Sequence, residues 1–206
     1  MVPVLKERLP HLLLAGYLLL FLLLAVEPYD RAVWWTENIP ILMIVTLLAG
    51  SYPVYRFSAA SYLMMAVLIV LHTIGGHYTF ERVPFGWVTD FCGFERNHYD
   101  RLAHFSVGFY AFALAELLLQ KQMVRSVLLL YTFPVFAILS VAGLYEIFEW
   151  LYAISADASA GIAVLGSQGD IWDAQKDMLS DGLGSVAAMG LFAWFHHNRV
   201  RELAKS

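Results

Sequence analysis

Cysteine is nearly absent from this chain. Cys92 stands alone among 206 residues, which excludes an intrachain disulfide and a thiolate metal centre. Charge is scarce as well, with Asp, Glu, Lys and Arg making up 15% of the chain, a formal net charge of −4 and no basic block. Nothing here attracts nucleic acid, which is therefore not expected as a partner. No serine or cysteine lies in a nucleophile context, which argues against acyl-enzyme chemistry. The metalloprotease pattern H-E-x-x-H is missing too.

What the chain has is apolar residues, at 60% of the sequence, and a mean hydropathy of +0.63. These values fall outside the range of soluble domains and imply an all-α, polytopic membrane helix bundle. The length suits roughly six helices of about 20 residues with short connections, in a single integral membrane domain over 1–206 with the lipid bilayer as its partner. Six apolar runs are found at about 9–26, 39–55, 58–76, 101–119, 127–153 and 177–195, each bounded by charge, Pro or Gly. The first follows Lys6 and Arg8 and ends in Glu27-Pro28 with no small residues at cleavage spacing, so it reads as a retained signal-anchor helix. Pro134 inside the fifth, longest run predicts a tilt or kink.

Positive charge resists translocation and so orients the bundle. One side carries eight basic residues, Lys6, Arg8, Arg56, Lys121, Arg125, Arg199, Arg201 and Lys205; the other carries five, Arg31, Arg82, Arg96, Arg101 and Lys176. Both termini are accordingly expected in the cytoplasm, with loops 27–38, 77–99 and 154–172 outside. Trp34, Trp35, Trp87, Trp150 and Trp172 fall near the outer boundaries, where indole rings favour the headgroup level.

A charged group inside a span costs about 2.5–3.5 kcal/mol on insertion scales, so each one retained needs a partner, a water-filled pocket or a job. Asp100 and His104 are four apart in "YDRLAHF" and share a helix face; Glu146 and Glu149 share another in "YEIFEW". In "GDIWDAQKDMLSDGLGS", Asp173, Asp177 and Asp181 recur every fourth residue behind Asp170. At 1.5 Å per residue all of these lie within about two turns of the outer surface. His72 lies near the outer end of the third run and His77 begins the outer loop. Gly182, Gly184 and Ser185 allow close approach of a neighbouring helix, which would carry Asp181 towards His104 or Glu146.

Several carboxylates with one to three imidazoles form a ligand set for a divalent metal ion, oxygen-rich for Mg²⁺, Mn²⁺ or Ca²⁺ and richer in histidine for Zn²⁺. The candidate ligands are His77, Asp100, His104, Glu146, Asp177 and Asp181. The candidate catalytic residues are His104, Asp100, Glu146 and Asp181. A metal-free version uses His104 as general base, oriented by Asp100 or a glutamate, with Arg96, Arg101 and His98 contacting a substrate's phosphate. The structural alternatives are that Asp100, Asp173 and Asp177 cap helix N-termini and that Glu149 snorkels to the interface. Glu116, beside Gln120 and Lys121, reads as interfacial.

The segments "GGHYTFERVPFGW", "GFERNHYDRLAHF", "YEIFEW" and "GDIWDAQKDMLSDGLG" together resemble the YjdF-like bacterial inner-membrane proteins, a family of unknown function, over nearly the whole chain. More loosely, Asp100, Arg101, His104 and Phe105, then Glu146 and Glu149, then Asp177, Asp181 and Gly184 resemble the pattern of VanZ-like membrane proteins linked to glycopeptide resistance. The long 77–99 loop, and Asp181 where that pattern usually has asparagine, depart from it. The resemblance implies a bacterial inner membrane and no reaction. Three functions follow as expectations: a membrane-embedded hydrolase or transferase acting outside on a lipid or envelope-precursor head group, a structural or partner-binding protein, and an ion- or proton-coupled transporter.

Overall fold

The computed structural model describes residues 3–156 and 158–204. Lys205, counted above for orientation, lies outside the described residues, as does the side chain of Lys6. The described chain is helical: α1 (Pro3–Leu24), α2 (Arg31–Ser51), α3 (Ala59–Tyr78), α4 (Gly86–Cys92), α5 (Tyr99–Val107), α6 (Tyr110–Gln120), α7 (Val127–Ser155), α8 (Ala158–Leu165) and α9 (Asp173–Leu203). Six segments are long and apolar enough to cross a membrane, with α5 and α6 counting as one span over Tyr99–Gln120. Leucines such as Leu19, Leu22, Leu47, Leu128 and Leu183 point outward, which a bilayer rewards because each aliphatic side chain leaves water.

The second span starts eight residues earlier than its apolar run, so the expected loop over 27–38 is mostly helix. Asp30 explains this: its carboxylate accepts from the backbone N–H of Ala32 at 2.8 Å and of Val33 at 2.9 Å, capping α2 at Arg31. Trp34 is consequently buried, with the Arg31 guanidinium 5.1 Å above its ring, instead of anchoring at the headgroup level. The loops expected at 77–99 and 154–172 contain the short helices α4 and α8.

The fourth run is broken where a continuous helix was expected. Phe109, Ala111 and Phe112 donate their N–H groups to the carbonyls of Ser106, Gly108 and Phe109, a tight i to i+3 pattern that separates α5 from α6. The break lies where α5 crosses α9. A methyl group on Gly184 would overlap the Phe105 carbonyl, and one on Gly108 would overlap the Ser185 backbone. Backbone therefore meets backbone at this crossing, as small residues permit. Phe112, Phe192, Leu130 and Ala188 fill the core below it. α9 kinks at His196, whose backbone is non-helical and whose ring stacks on Phe192 at 4.4 Å. Its 31 residues, about 46 Å at 1.5 Å each, exceed a hydrocarbon core of about 30 Å, and the kink turns the surplus aside.

Glu116 corrects an expectation. It is fully buried between helices and not turned outward. Its carboxylate accepts from Ser58 N (2.8 Å), Ser58 Oγ (2.7 Å), Gln120 Nε2 (2.8 Å) and Ser61 Oγ, which ties the start of α3 to the end of α6.

Candidate functional site

The site lies at the opposite end of the bundle from Glu116, where α5 and α9 start side by side and run in the same direction. The 3.6-residue period puts Asp100 and His104 on one face of α5, and Asp173, Asp177 and Asp181 on the facing side of α9. His104 is the hub. Its Nδ1 lies 3.2 Å from Asp181 Oδ2, while Nε2 lies 3.6 Å from Asp100 Oδ1 and 3.8 Å from Asp177 Oδ1. One ligand atom from each of Asp100, His104 and Asp177 falls within 4.8 Å of the other two. Asp181 has no exposed surface and lies beside the glycine crossing, which sets how near it comes to His104.

Above this hub, both guanidiniums meet α9. Arg101 pairs with Asp173 and Asp177. Arg96 Nη1 lies 2.9 Å from Asp173 Oδ1, 2.9 Å from the Ser167 carbonyl and 3.5 Å from Asp170. Lys176 lies 2.6 Å from Asp170. The turn after α8, with Gly166, Gln168 and Gly169 at positive φ, is clamped from the other side by reciprocal bonds between Asn97 and Gln168. A roof thus covers the hub. Hydrogen bonds from Lys176 and the Trp172 backbone hold the Asp170 carboxyl below its ordinary range. His98 lies edge-on to Phe94 at 4.6 Å. Burial, reinforced by the Arg96, Arg101 and Lys176 charges, pushes its pKa down, so it is neutral near pH 7.

The structure therefore brings together Asp100, His104, Asp177 and Asp181, with Arg96 and Arg101 immediately above them. Three candidates lie elsewhere. His77 Nδ1 lies 2.8 Å from the Leu24 carbonyl, tying α3 to the end of α1. Glu146 faces a shallow apolar groove beside Gly143, Ile147 and Met178, with a buried Oε1 that has no hydrogen-bond partner among the described residues. His98 flanks the roof.

A second polar wall faces the hub across a cavity of about 290 Å³. His72 and Tyr145 line it, and behind them Glu37 Oε2 lies 3.1 Å from His72 Nε2 and accepts from Tyr145 Oη at 3.0 Å. Glu149 lines the same cavity and is buried, not snorkelling outward. Glu37 was missed because its apolar run begins after it. The signal available was the cap at Asp30, which makes Glu37 an intrahelical residue two turns below the helix start. Tyr145, between Glu146 and the apolar stretch before it, gave no polar signal.

The hub can supply a tautomer-fixed imidazole and two carboxylate oxygens around one point, beside an arginine that offsets part of their charge. That is a set able to hold a cation or move a proton.

Comparison with known proteins places the chain. The family described as "Predicted membrane protein (DUF2238)" matches residues 9–198. The Escherichia coli (strain K12) protein described as "Inner membrane protein YjdF" is 30% identical over 186 residues, covering 89% of this chain and 88% of the relative. No solved structure matches. With the matched segment running through all six spans and the whole site, this chain belongs to the DUF2238 family of membrane proteins, the family of YjdF.

Proposed function

We propose that the protein is a bacterial inner-membrane hydrolase or transferase whose Asp100–His104–Asp177 cluster holds a divalent cation and acts on a lipid or envelope-precursor head group at the outer surface, with both termini in the cytoplasm. The observation that carries this reading is His104, with Nδ1 against Asp181 and Nε2 aimed between two carboxylates. A metal-ligating imidazole is usually held through its second nitrogen in this way, which fixes the tautomer and raises its basicity. Two oxygens and one nitrogen suit Mn²⁺ or Zn²⁺. A bound cation would polarise a phosphoryl or ester oxygen. Asp181 orients His104, and Arg101 restrains Asp177. Asp100, which has no arginine partner among the described residues, is left to the cation.

The test is Mn²⁺ and Zn²⁺ titration of purified protein by calorimetry. Stoichiometric binding is expected, with at least a tenfold loss in His104→Ala and Asp100→Asn and a smaller loss in Asp181→Asn. Wild-type protein that binds neither ion sinks the cation reading. The competing structural reading draws on Arg96 and Arg101, whose guanidiniums are already matched to α9 carboxylates. It expects Asp181→Asn to unfold the protein and leave any ion affinity of the folded fraction unchanged.

A further inference from the structure

The cavity beside the hub has a polarity gradient that three helices share. On α5 it runs from Asp100 and His104 to Val107, and on α7 from Glu149 and Tyr145 to Val141. On α3 it runs from His72 to Leu68, while α2 lines the deeper part with apolar residues from Pro40 to Leu47. α3 and α7 run opposite to α5, yet in all three the polar residues lie at the site end and the apolar ones deeper. One helix with such a gradient is ordinary patterning. Three lining the same space describe the shape of an amphiphile.

The cavity opens sideways. α2 packs along α3, and α7 packs along α6 and α9. Among the described residues the one side-chain hydrogen bond from α7 to α2 is Tyr145 to Glu37, at the polar end. Below that bond the rim residues Met43, Leu47 and Val141 are all more than half exposed, so the mouth faces the surrounding chains. From Asp100 to Val107 the depth is about 10 Å, against about 15 Å for one leaflet's hydrocarbon. A cavity of about 290 Å³ has room for the upper part of a hydrocarbon chain.

We infer that this cavity is a chain-binding site for a bilayer lipid, which enters between α2 and α7 with one hydrocarbon chain inside and its head group between His104 and the Glu37–His72–Tyr145 wall. The assignment rests on reading the hub as head-group chemistry, and it adds what that reading lacks: the substrate reaches the hub from within the membrane, chain first, and is selected by having a chain that can separate from its neighbours. The second wall then has a use. Tyr145, turned by Glu37, lies at the height where chain gives way to head group, and His72 stands beside it.

The test uses the full-length protein released from detergent and native mass spectrometry, with a lysophospholipid bearing a single twelve-carbon chain as probe. Wild-type protein is expected to retain one tightly held probe molecule. Met43→Trp at the rim and Ala142→Trp inside the cavity are expected to lower that occupancy at least tenfold. Met43 is exposed, so its variant keeps the measurement valid if Ala142→Trp does not fold. Mn²⁺ binding in Met43→Trp should match wild type. Several weakly held probe molecules, unaffected by either tryptophan, would overturn the chain site and mean annular lipid only. Tryptophan-sensitive retention in a protein that binds no Mn²⁺ would uphold the chain site and overturn the metal reading alone.

Discussion

Replacing Gly184 with alanine puts a methyl group onto the Phe105 carbonyl oxygen, so one of two backbones must move. No flexible side chain is available to yield at that contact, so the overpacking penalty should fall at the upper end of its usual range, about 3 kcal/mol. Alanine also favours a helix interior over glycine by about 1 kcal/mol, which leaves a net loss of about 2 kcal/mol. For a chain of this size that is a fall in Tm of roughly 4–8 °C. Gly190, two turns on along α9, has nothing within 4 Å of its Cβ position. Gly190→Ala should therefore gain about 1 kcal/mol and raise Tm by roughly 2–4 °C. One substitution at two positions of one helix thus has opposite expected signs, measured by thermal unfolding of the purified protein in one detergent. If Gly184→Ala stabilises as Gly190→Ala does, the backbone contact between α5 and α9 is not as described, and the placement of Asp181 against His104 falls with it.

Further expectations follow from other contacts. Arg101→Leu removes the cation between Asp173 and Asp177, and should cost about 3–5 kcal/mol in the same thermal assay, since it leaves buried carboxylates without their partner; adding Asp177→Asn should recover part of the loss. Glu116→Gln weakens the charged acceptor of Ser58 and Ser61 and should cost about 1.5–3 kcal/mol without changing Mn²⁺ affinity. His98 has a folded-state pKa below its unfolded value of about 6.5. The unfolded chain therefore binds more protons between the two values, and stability rises with pH through that window and is lost as pH falls below about 6.5. His98→Gln should flatten that part of the stability profile; an unchanged slope would refute the assignment.

The six spans were legible because hydropathy is a direct reading of the bilayer requirement. Asp100, His104, Asp177 and Asp181 were legible because charge is rare in such segments and helical period fixes which residues share a face. Two kinds of information were not. Glu37 and Glu116 were misplaced because a few hydrogen bonds, from Ala32 and Val33 to the Asp30 carboxylate and from Ser58 to the Glu116 carboxylate, set helix ends and burial that an apolar window averages away. That Glu146 lines an apolar groove and forms no ion pair with the hub among the described residues depends on the rotation of α7 against α9, which its own sequence leaves open. The interruption at Gly108 belongs to the same class, since it answers to α9, a helix far along the chain.

That dependence on α9 bears on how the protein is made. Asp100, Arg101 and His104 enter the bilayer with α5 while the carboxylates that match them have still to be synthesised. Until Asp173, Asp177 and Asp181 arrive, the fourth span carries ionisable groups at about 2.5–3.5 kcal/mol each with no facing helix to settle them. Insertion of the last span therefore closes the roof, seats the glycine crossing and matches the charges in one event. A chain halted before α9 would hold five apolar spans and no site, with Asp100, Arg101 and His104 left without their α9 partners.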